Sequence, residues 1–299
     1  MPILVCDVGG TFTKYALMTE EAEILQKGKV RSAIASKKAF VQSLEGILEP
    51  YKEDVEGLAL SLPGIMDSER GFMFSGGSLA FVDNWAIAEE LQARFGISVS
   101  IENDGNSAAL AEHWKGVIQS VSNAAVVVLG TGVGGGVIIN DKLLRGKNFL
   151  AGEFSLMASH WEEDFQLEDV LGLKVSVPKM VLEASQELGL TEDEATGEYL
   201  FSLAQAGNTI ALAHLRRFSN QVARLIFTLY FSFNPEVFAI GGGISQQPLL
   251  LELINEQVEK LFQQLPGRLP RPNIQACDFY NEANLIGALY HYLSLKNKK

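Results

Sequence analysis

Residues 127–139 read Val-Val-Leu-Gly-Thr-Gly-Val-Gly-Gly-Gly-Val-Ile-Ile, and this stretch decides the fold. A β-branched run enters a glycine-rich turn and a second β-branched run leaves it, which predicts a hairpin with a glycine-rich tip. Glycine lets main-chain N–H groups converge on one point, so the tip can cradle a phosphate group, and Thr131 adds a hydroxyl. For this loop alone, a hairpin whose glycines are only flexible is the alternative.

The same glycines match the dinucleotide-binding pattern G-x-G-x-x-G at Gly130, Gly132 and Gly135. That pattern requires a helix directly after the loop, because the helix N-terminus holds the pyrophosphate. Residues 136–140 instead continue as a strand, so we reject a dinucleotide fold. The P-loop pattern G-x-x-x-x-G-K-[ST] does not occur in either glycine-rich loop.

A second loop of the same design opens the chain. Residues 3–8 predict a strand, Gly9-Gly10-Thr11 a tight turn, and residues 13–18 another strand. Two such hairpins, more than a hundred residues apart, suggest a duplicated architecture with a cleft between its halves. Asp7 ends the first strand, and its residue type fits either a Mg²⁺ contact beside the phosphates or a turn-stabilising aspartate.

A third candidate group follows the strand predicted over residues 99–102. Asn103, Asp104 and Asn106 lie between this strand and an alanine-rich helix predicted from Ser107. Open α/β sheets place their active groups at such strand ends. One of the three residues is expected to cap the helix, and Asp104 is the candidate catalytic base.

The glycines at 241–243 separate a buried strand over 237–240 from a helix over 248–265. Such a unit lets a flat ring approach the backbone while a helix N-terminus faces anionic groups.

Composition narrows the class of protein. The chain has 299 residues, 47% of them hydrophobic, and a formal net charge of −12. The acidic balance argues against nucleic acid as a partner. No apolar run is long enough to span a membrane and no leader is visible at the N-terminus, so a cytoplasmic location is expected.

Taken in order, these motifs resemble the ROK family of sugar kinases and repressors, within the actin-like ATPase superfamily, over nearly the whole chain. Residues 7–11 with Lys14 resemble the first phosphate motif, and residues 129–135 the second. Residues 61–64 resemble the sugar loop, and residues 102–104 the catalytic segment. The remaining matches are a sugar-hydroxyl segment at Gly152-Glu153, an adenosine motif at 239–243 and a closing helix at Gly287-Ala288.

The resemblance implies an α/β fold of two actin-like ATPase, ribonuclease H-like domains that flank a central cleft. Residues 1–112 plus 283–299 would form the N-terminal domain, and residues 113–282 the larger C-terminal domain. The implied reaction is ATP-dependent phosphorylation of a hexose or hexose-containing glycoside at its 6-hydroxyl group, by a homodimer that uses Mg²⁺. Neither nucleic acid nor a membrane is an expected partner.

The resemblance also assigns roles to residues. Asp104 would be the base, and the acceptor sugar would contact Gly64, Asn103, Asp104, Glu153 and Glu168. Mg²⁺ would lie near Asp7, directly or through water. The expected ATP contacts are Asp7, Gly9, Gly10, Thr11, Lys14, Thr131, Gly132, Gly134, Gly241, Gly242 and Gly243.

The chain departs from the family pattern after Glu153. Leu156 stands where the family often has a sugar-contacting histidine, and the Cys-rich zinc loop has no counterpart, because the chain contains only two cysteines. His160 alone cannot form a structural zinc site. We therefore predict no zinc and a shortened loop, with Glu168 matching the glutamate that ends the zinc motif. An anomeric end opened in this way makes a disaccharide or glycoside acceptor an option.

Two other functions are compatible with the resemblance. Some ROK proteins are repressors, but those carry a helix-turn-helix domain ahead of the first phosphate strand, where this acidic chain begins. A catalytically silent sugar sensor is the other alternative. Retention of Asp7, Thr11, Asp104, Gly132 and Gly241 together argues against it.

Overall fold

The computed structural model describes residues 1–160 and 164–298. The chain forms two compact units. The first comprises Met1–Lys115, Leu143–Ala151 and Glu282–Lys299, and the second comprises Gly116–Lys142 and Gly152–Asn281. The boundaries inferred from the sequence differ at three places, since residues 113–115, 143–151 and 282 belong to the first unit rather than to the second.

The first unit is a mixed α/β structure that begins with a hairpin. Its elements in chain order are β1 (Ile3–Val8), β2 (Phe12–Met18), β3 (Ile24–Arg31), α1 (Lys37–Leu48), β4 (Gly57–Leu62), β5 (Ile65–Asp67), β6 (Phe72–Ser75), β7 (Asp83–Trp85), α2 (Ile87–Phe95), β8 (Ser98–Asn103), α3 (Asp104–Lys115) and, from the end of the chain, α9 (Ala283–Lys296).

The main sheet of this unit has the strand order β3-β2-β1-β4-β8. β1 is antiparallel to β2 and parallel to β4, and β4 is parallel to β8. Every residue of β1 and β4 is buried, as expected for central parallel strands that are covered on both faces. The outer strand β3 has no fully buried residue. A separate small sheet has the order β5-β6-β7.

The second unit repeats this plan with more helix. Its elements are β9 (Ala124–Leu129), β10 (Val133–Ile139), β11 (Lys142–Leu143), α4 (Leu171–Lys174), α5 (Val177–Leu188), α6 (Gly197–Gln205), α7 (Thr209–Phe233), β12 (Val237–Gly241), α8 (Pro248–Gln263) and β13 (Ile274–Ala276). Apolar residues of β9, β10 and β12 form one core with α5 to α8.

The two main sheets have the same topology. In the second unit the strand order is β11-β10-β9-β12-β13, with β9 antiparallel to β10, and β12 parallel to both β9 and β13. A hairpin followed by two parallel strands therefore occurs twice. This repetition agrees with the duplicated architecture inferred from the two glycine-rich hairpins.

Two predicted elements are shorter in the structure. Residues 37–51 carry apolar side chains at helical spacing, which predicts one helix, but the α-helix ends at Leu48, and Glu49–Tyr51 continues as a 3₁₀ turn because Pro50 has no N–H group to donate. Residues 274–279 predict a final strand, and the strand in the structure ends at Ala276. In the described part of the chain, no helix is long and apolar enough to cross a membrane.

Candidate active site

Polar residues form a row across the carboxyl end of the first unit's sheet. Asp7 on β1 pairs with Ser61 on β4, and Ser61 pairs with Glu102 on β8. On its other side, Asp7 pairs with Lys14 on β2. The carboxyl ends of parallel strands are where α/β sheets place active groups, so this row marks the candidate site.

Asp7 is buried, with 8% of its surface exposed. Its Oδ1 atom accepts hydrogen bonds from Ser61 Oγ at 3.2 Å and from Asn284 Nδ2 at 3.0 Å. Lys14 Nζ lies 4.0 Å from Oδ2. Burial raises the pKa of the Asp7 carboxyl, although the contacts with Asn284, Lys14 and Ser61 oppose this shift.

These contacts bear on the two roles considered for Asp7. In the described chain its hydrogen-bond donors come from β4 and α9 rather than from the turn that follows β1. A turn-stabilising role is therefore disfavoured. A buried carboxylate beside a phosphate loop suits Mg²⁺, which takes one or two carboxylates and completes its shell with water and phosphate oxygens. Residues 1–160 and 164–298 contain no cluster of three or more His, Cys, Asp or Glu arranged for a metal ion.

The first phosphate loop is held by a neighbouring strand end. Gly9 N donates to Phe12 O at 3.1 Å, and Ser32 N donates to Thr11 O at 3.0 Å. Ser32 Oγ also donates to Gly9 O at 2.6 Å. Gly10 and Thr11 are exposed at the tip, and a Cβ atom on Gly10 would meet nothing within 4 Å. Hydrogen bonds thus hold the main chain of the loop, while its tip is exposed and can receive an anion.

Asn103 and Asp104 lie where β8 passes into α3. Asp104 is the first residue of the helix rather than part of a preceding loop, and it is half-buried. Asn103 Oδ1 accepts a hydrogen bond from Asn106 N at 3.0 Å and so caps the helix, while Asn103 Nδ2 donates to Gly64 O at 3.1 Å. Asn103 therefore joins the sugar loop to the helix that starts at the candidate base.

Gly64 requires glycine for two reasons. Its φ angle is +105°, a region that L side chains rarely adopt, and a Cβ atom would lie 2.2 Å from Ser75 O. The turn that precedes β5 is thus packed directly against the end of β6.

Glu102 is the centre of a buried ionic cluster that the sequence did not reveal. It is fully buried, and its carboxylate accepts two hydrogen bonds from Arg145, at 3.0 and 2.6 Å. His291 Nδ1 lies 3.5 Å from Oε2, and Asn103 N donates to Oε1 at 2.9 Å. Burial alone would raise the pKa of Glu102, but Arg145 and His291 outweigh it, and the net pKa is lowered.

The second phosphate loop differs in detail from its prediction. The tip consists of Gly130, Thr131 and Gly132, whereas the glycines at 134–136 belong to β10. A Cβ atom on Gly135 would lie 2.1 Å from Val126 O and 2.5 Å from the ring of Phe154, so this glycine serves strand packing. Gly134 has no atom near its Cβ position.

A cavity of about 640 Å³ in the second unit brings two predicted nucleotide-binding loops together. Thr131 of the second phosphate loop and Gly243 of the loop after β12 both line it. The N-termini of α5 and α6 contribute Val177, Pro178, Thr196 and Gly197 to the same wall. Helix N-termini favour anionic groups, so the cavity suits a phosphorylated ligand.

Close packing also requires the glycines at the end of β12. Gly242 has a φ angle of +92°, and a Cβ atom there would lie 2.0 Å from Leu129 O. On Gly241 a Cβ atom would come within 3.2 Å of Cys277 Sγ. These glycines bring the backbone of the loop against β9, immediately before the second phosphate loop.

Glu153 belongs to the second unit and is half-buried rather than solvated. Burial raises the pKa of its carboxyl, and a hydrogen bond with Ser155 opposes the shift. Glu168 lies on a 3₁₀ turn, Leu167–Asp169, and is exposed. The structure gives Glu153 the surroundings of a binding carboxylate more clearly than Glu168.

Main-chain pairing closes the segment between these two glutamates. Leu171 N donates to Met157 O at 2.7 Å, and Ser159 N donates to Asp169 O at 2.8 Å. The carboxylate of Asp169 also lies 3.5 Å from His160 Nε2. The predicted shortened loop falls partly on residues 161–163, which lie outside the described residues.

Comparison with known proteins identifies the family. The sequence profile of the ROK family matches residues 3–164 and 175–294. The chain belongs to the ROK family. This ROK protein is 31% identical over 308 residues to a β-glucoside kinase of Listeria monocytogenes, with 100% of this chain and 99% of that protein covered. A β-glucoside kinase of Klebsiella pneumoniae is 29% identical, with coverage of 99% and 97%.

Solved structures support the same fold. A Listeria monocytogenes protein, provisionally assigned as an N-acetylmannosamine kinase, has a TM-score of 0.89 at 29% identity, covering 99% of this chain and 100% of that one. A ROK protein of Streptococcus pneumoniae TIGR4 in complex with sucrose has a TM-score of 0.86 at 29% identity, with both chains fully covered. A ROK glucokinase of Streptomyces griseus, in complex with glucose and AMPPNP, has a TM-score of 0.81 at 25% identity, covering 97% and 98%. The α/β fold of the actin-like ATPase type is confirmed.

Proposed function

We propose that this ROK protein transfers the γ-phosphoryl group of ATP to the 6-hydroxyl group of a hexose, with a β-glucoside as its preferred acceptor. Sugar kinases are its curated relatives, and the two β-glucoside kinases match it over nearly their whole length. The observation that carries the proposal is the position of Asp104 at the carboxyl end of β8, beside the sugar loop that Asn103 holds.

In this mechanism Asp104 accepts the proton of the acceptor hydroxyl as the oxygen adds to phosphorus. Asn103 fixes Gly64 relative to α3 through hydrogen bonds at both ends of its amide, and Asn103 and the main chain of Gly64 contact the sugar. Glu153 orients a sugar hydroxyl, because a carboxylate accepts hydrogen bonds without needing a proton of its own.

The nucleotide contacts come from the glycine-rich loops. The N–H groups of Gly9, Gly10 and Thr11 contact phosphate oxygens, as do those of Thr131 and Gly132. The loop at 241–243 and the cavity beside it receive the adenosine. When bound, Mg²⁺ neutralises charge on the β- and γ-phosphates, and Asp7 would hold it, directly or through water. A cytoplasmic homodimer that contains no zinc completes the proposal.

A coupled assay of ADP release tests this function, with Mg-ATP against glucose, N-acetylhexosamines and β-glucosides. Turnover is expected for the β-glucosides, and the Asp104→Asn variant should lose about 10²- to 10⁴-fold in kcat while sugar binding persists. Asp54→Asn, an exposed residue of the same unit, is the matched control and should behave as wild type. Near-normal turnover in Asp104→Asn would refute the assignment of the base. Sugar binding without turnover in the wild type would favour a sensor.

A further inference from the structure

Three aromatic rings lie in contact on the first unit, and none of them has a part in the mechanism above. The ring centroids of Phe72 and Phe74, both on β6, are 5.2 Å apart. Phe74 and Phe149 are stacked, with centroids 5.7 Å apart and an interplanar angle of 23°. Phe74 is 39% exposed, so a stacked aromatic pair faces solvent.

Phe149 is held in an unusual backbone conformation. Its φ angle is +59°, in the left-handed region that bulky residues rarely occupy. It lies on a loop that is closed by a hydrogen bond from Ala151 N to Arg145 O at 3.2 Å. Backbone strain of this kind persists where the surroundings over-determine it, and it is concentrated at functional sites.

Contacts within the first unit join the aromatic pair to the acceptor residues from two sides. Phe74 precedes Ser75, whose carbonyl oxygen packs against Gly64, and Gly64 O accepts the hydrogen bond of Asn103. The loop of Phe149 is anchored through Arg145 to Glu102, the residue before Asn103. Both rings are therefore tied to the segment that carries the base.

We propose that Phe74 and Phe149 form the subsite for the second ring of a β-glucoside, the sugar or aryl group attached to the anomeric carbon of the glucose that is phosphorylated. This inference rests on the proposed kinase activity and deepens it. The C–H edges of a pyranose and the edge of an aryl ring are both attracted to the negative face of an aromatic side chain.

The apolar character of the pair explains why it receives the second ring. The ring that is phosphorylated must be held by its hydroxyl groups, and Asn103, Asp104 and the main chain of Gly64 supply polar contacts. An aromatic surface does not read the stereochemistry of hydroxyl groups. It therefore accepts aglycones of different structure, provided that they are flat or present a C–H face.

The test compares kcat/KM for phenyl β-glucoside, cellobiose and glucose. Phe74→Leu keeps apolar volume but removes the aromatic face, and it should lower kcat/KM for both glucosides at least about fivefold, through KM, while glucose changes less than about twofold. Phe74→Trp keeps an aromatic face, so its kcat/KM for both glucosides should match that of the wild type. Phe231→Ala removes a ring that is 53% exposed in the second unit and is the control. It should leave the ratio of kcat/KM for the glucosides to kcat/KM for glucose unchanged.

A second variant separates recognition from structure. Phe149→Asn removes the ring, while asparagine tolerates the left-handed conformation, so the fold should be at least as stable as wild type. Binding of phenyl β-glucoside, measured by calorimetry without ATP, should nevertheless weaken about fivefold. A parallel loss for glucose and the glucosides, or no loss for either, would overturn the subsite.

Failure of the subsite can be told apart from failure of the kinase. If the wild type turns over glucose but neither binds nor phosphorylates glucosides, the subsite is wrong and the sugar kinase stands. If it turns over no sugar but binds phenyl β-glucoside, and Phe74→Leu weakens that binding, the subsite stands without the proposed activity.

Discussion

Glu102 is the residue on which the local order of the candidate site depends. Its carboxylate is fully buried, accepts two hydrogen bonds from Arg145 and lies beside Asn103 and His291. A buried carboxylate is tolerated only when its charge is compensated, so the Glu102 carboxylate depends on its ion pair with Arg145. Because Asn103 N donates to Glu102, this ion pair also fixes the end of β8.

We expect Glu102→Gln to lower the free energy of unfolding by about 3 kcal/mol at pH 7, because it leaves Arg145 without its partner. Since the folded-state pKa of Glu102 is lowered, its ionised form stabilises the protein above the ordinary carboxyl value of 4.5, and this stabilisation is lost as the pH falls below that value. Urea unfolding of wild type and variant, followed from pH 7 downward, should show the difference shrinking below about pH 4.5.

The exposed pair of Glu45 and Arg94 provides the control for this measurement. Its two side chains are 43% and 47% exposed, so Glu45→Gln should cost well under about 1 kcal/mol. A Glu102→Gln variant that behaves like Glu45→Gln would contradict the role of the buried cluster.

Single residues also show what the sequence could reveal of the site. Asp7, Asn103 and Asp104 were recognisable because each lies at the end of a β-branched or apolar strand. Arg145 and His291 were not, since they reach Glu102 from distant segments and lie in no motif. Asn284, the hydrogen-bond partner of Asp7, escaped for the same reason. Only the folded chain brings such partners together.

Among the elements, the contact of α9 with α3 depends on one glycine. A Cβ atom on Gly287 would lie 1.7 Å from the main-chain oxygen of Ser107 in α3. The two helices approach so closely that no side chain fits between them at this point. The sequence matched Gly287 to a family motif, but periodicity alone would have placed it on an ordinary apolar helix face.

We expect Gly287→Ala to destabilise the protein by about 3 kcal/mol, because the clash is with backbone and the helices must move apart. Gly46→Ala in α1 is the matched control. A Cβ atom there meets nothing within 4 Å, so the substitution should stabilise the protein by about 0.5–1 kcal/mol. Thermal unfolding of both variants measures the contrast, and a Gly287→Ala protein as stable as wild type would refute the close packing.

The glycine-rich hairpins show the limits of reading elements from a pattern. Both hairpins and the alternation of strands and helices were predicted, because β-branched runs and helical periodicity carry that information. The different roles of the individual glycines were not predicted. Gly135 belongs to a strand and packs on Phe154, and the sequence, with five glycines among residues 130–136, does not distinguish this role from that of a phosphate cradle.

For the whole molecule, the testable property is metal dependence, because we predict that this chain binds no zinc. Its two cysteines are both buried, one in each unit, and the segment from 157 to 171 is closed by main-chain hydrogen bonds. We expect elemental analysis to find substoichiometric zinc and a zinc-selective chelator to leave both kcat and Tm unchanged. Removal of Mg²⁺ should abolish turnover, and added Mg²⁺ should restore it. Stoichiometric zinc would contradict this prediction.

The first unit is assembled from three separate parts of the chain, and α9 is the last of them. During translation, every residue of the second unit leaves the ribosome before Ala283–Lys296 does. Until then α3 lacks α9, whose Gly287 packs against Ser107 of α3, and Asp7 lacks its partner Asn284. The core of the nascent first unit therefore stays incomplete, with apolar surface exposed, while the second unit can already fold. A ribosome that stops shortly before α9 would release a chain with one finished core and one unfinished core, which is a substrate for chaperones and proteases.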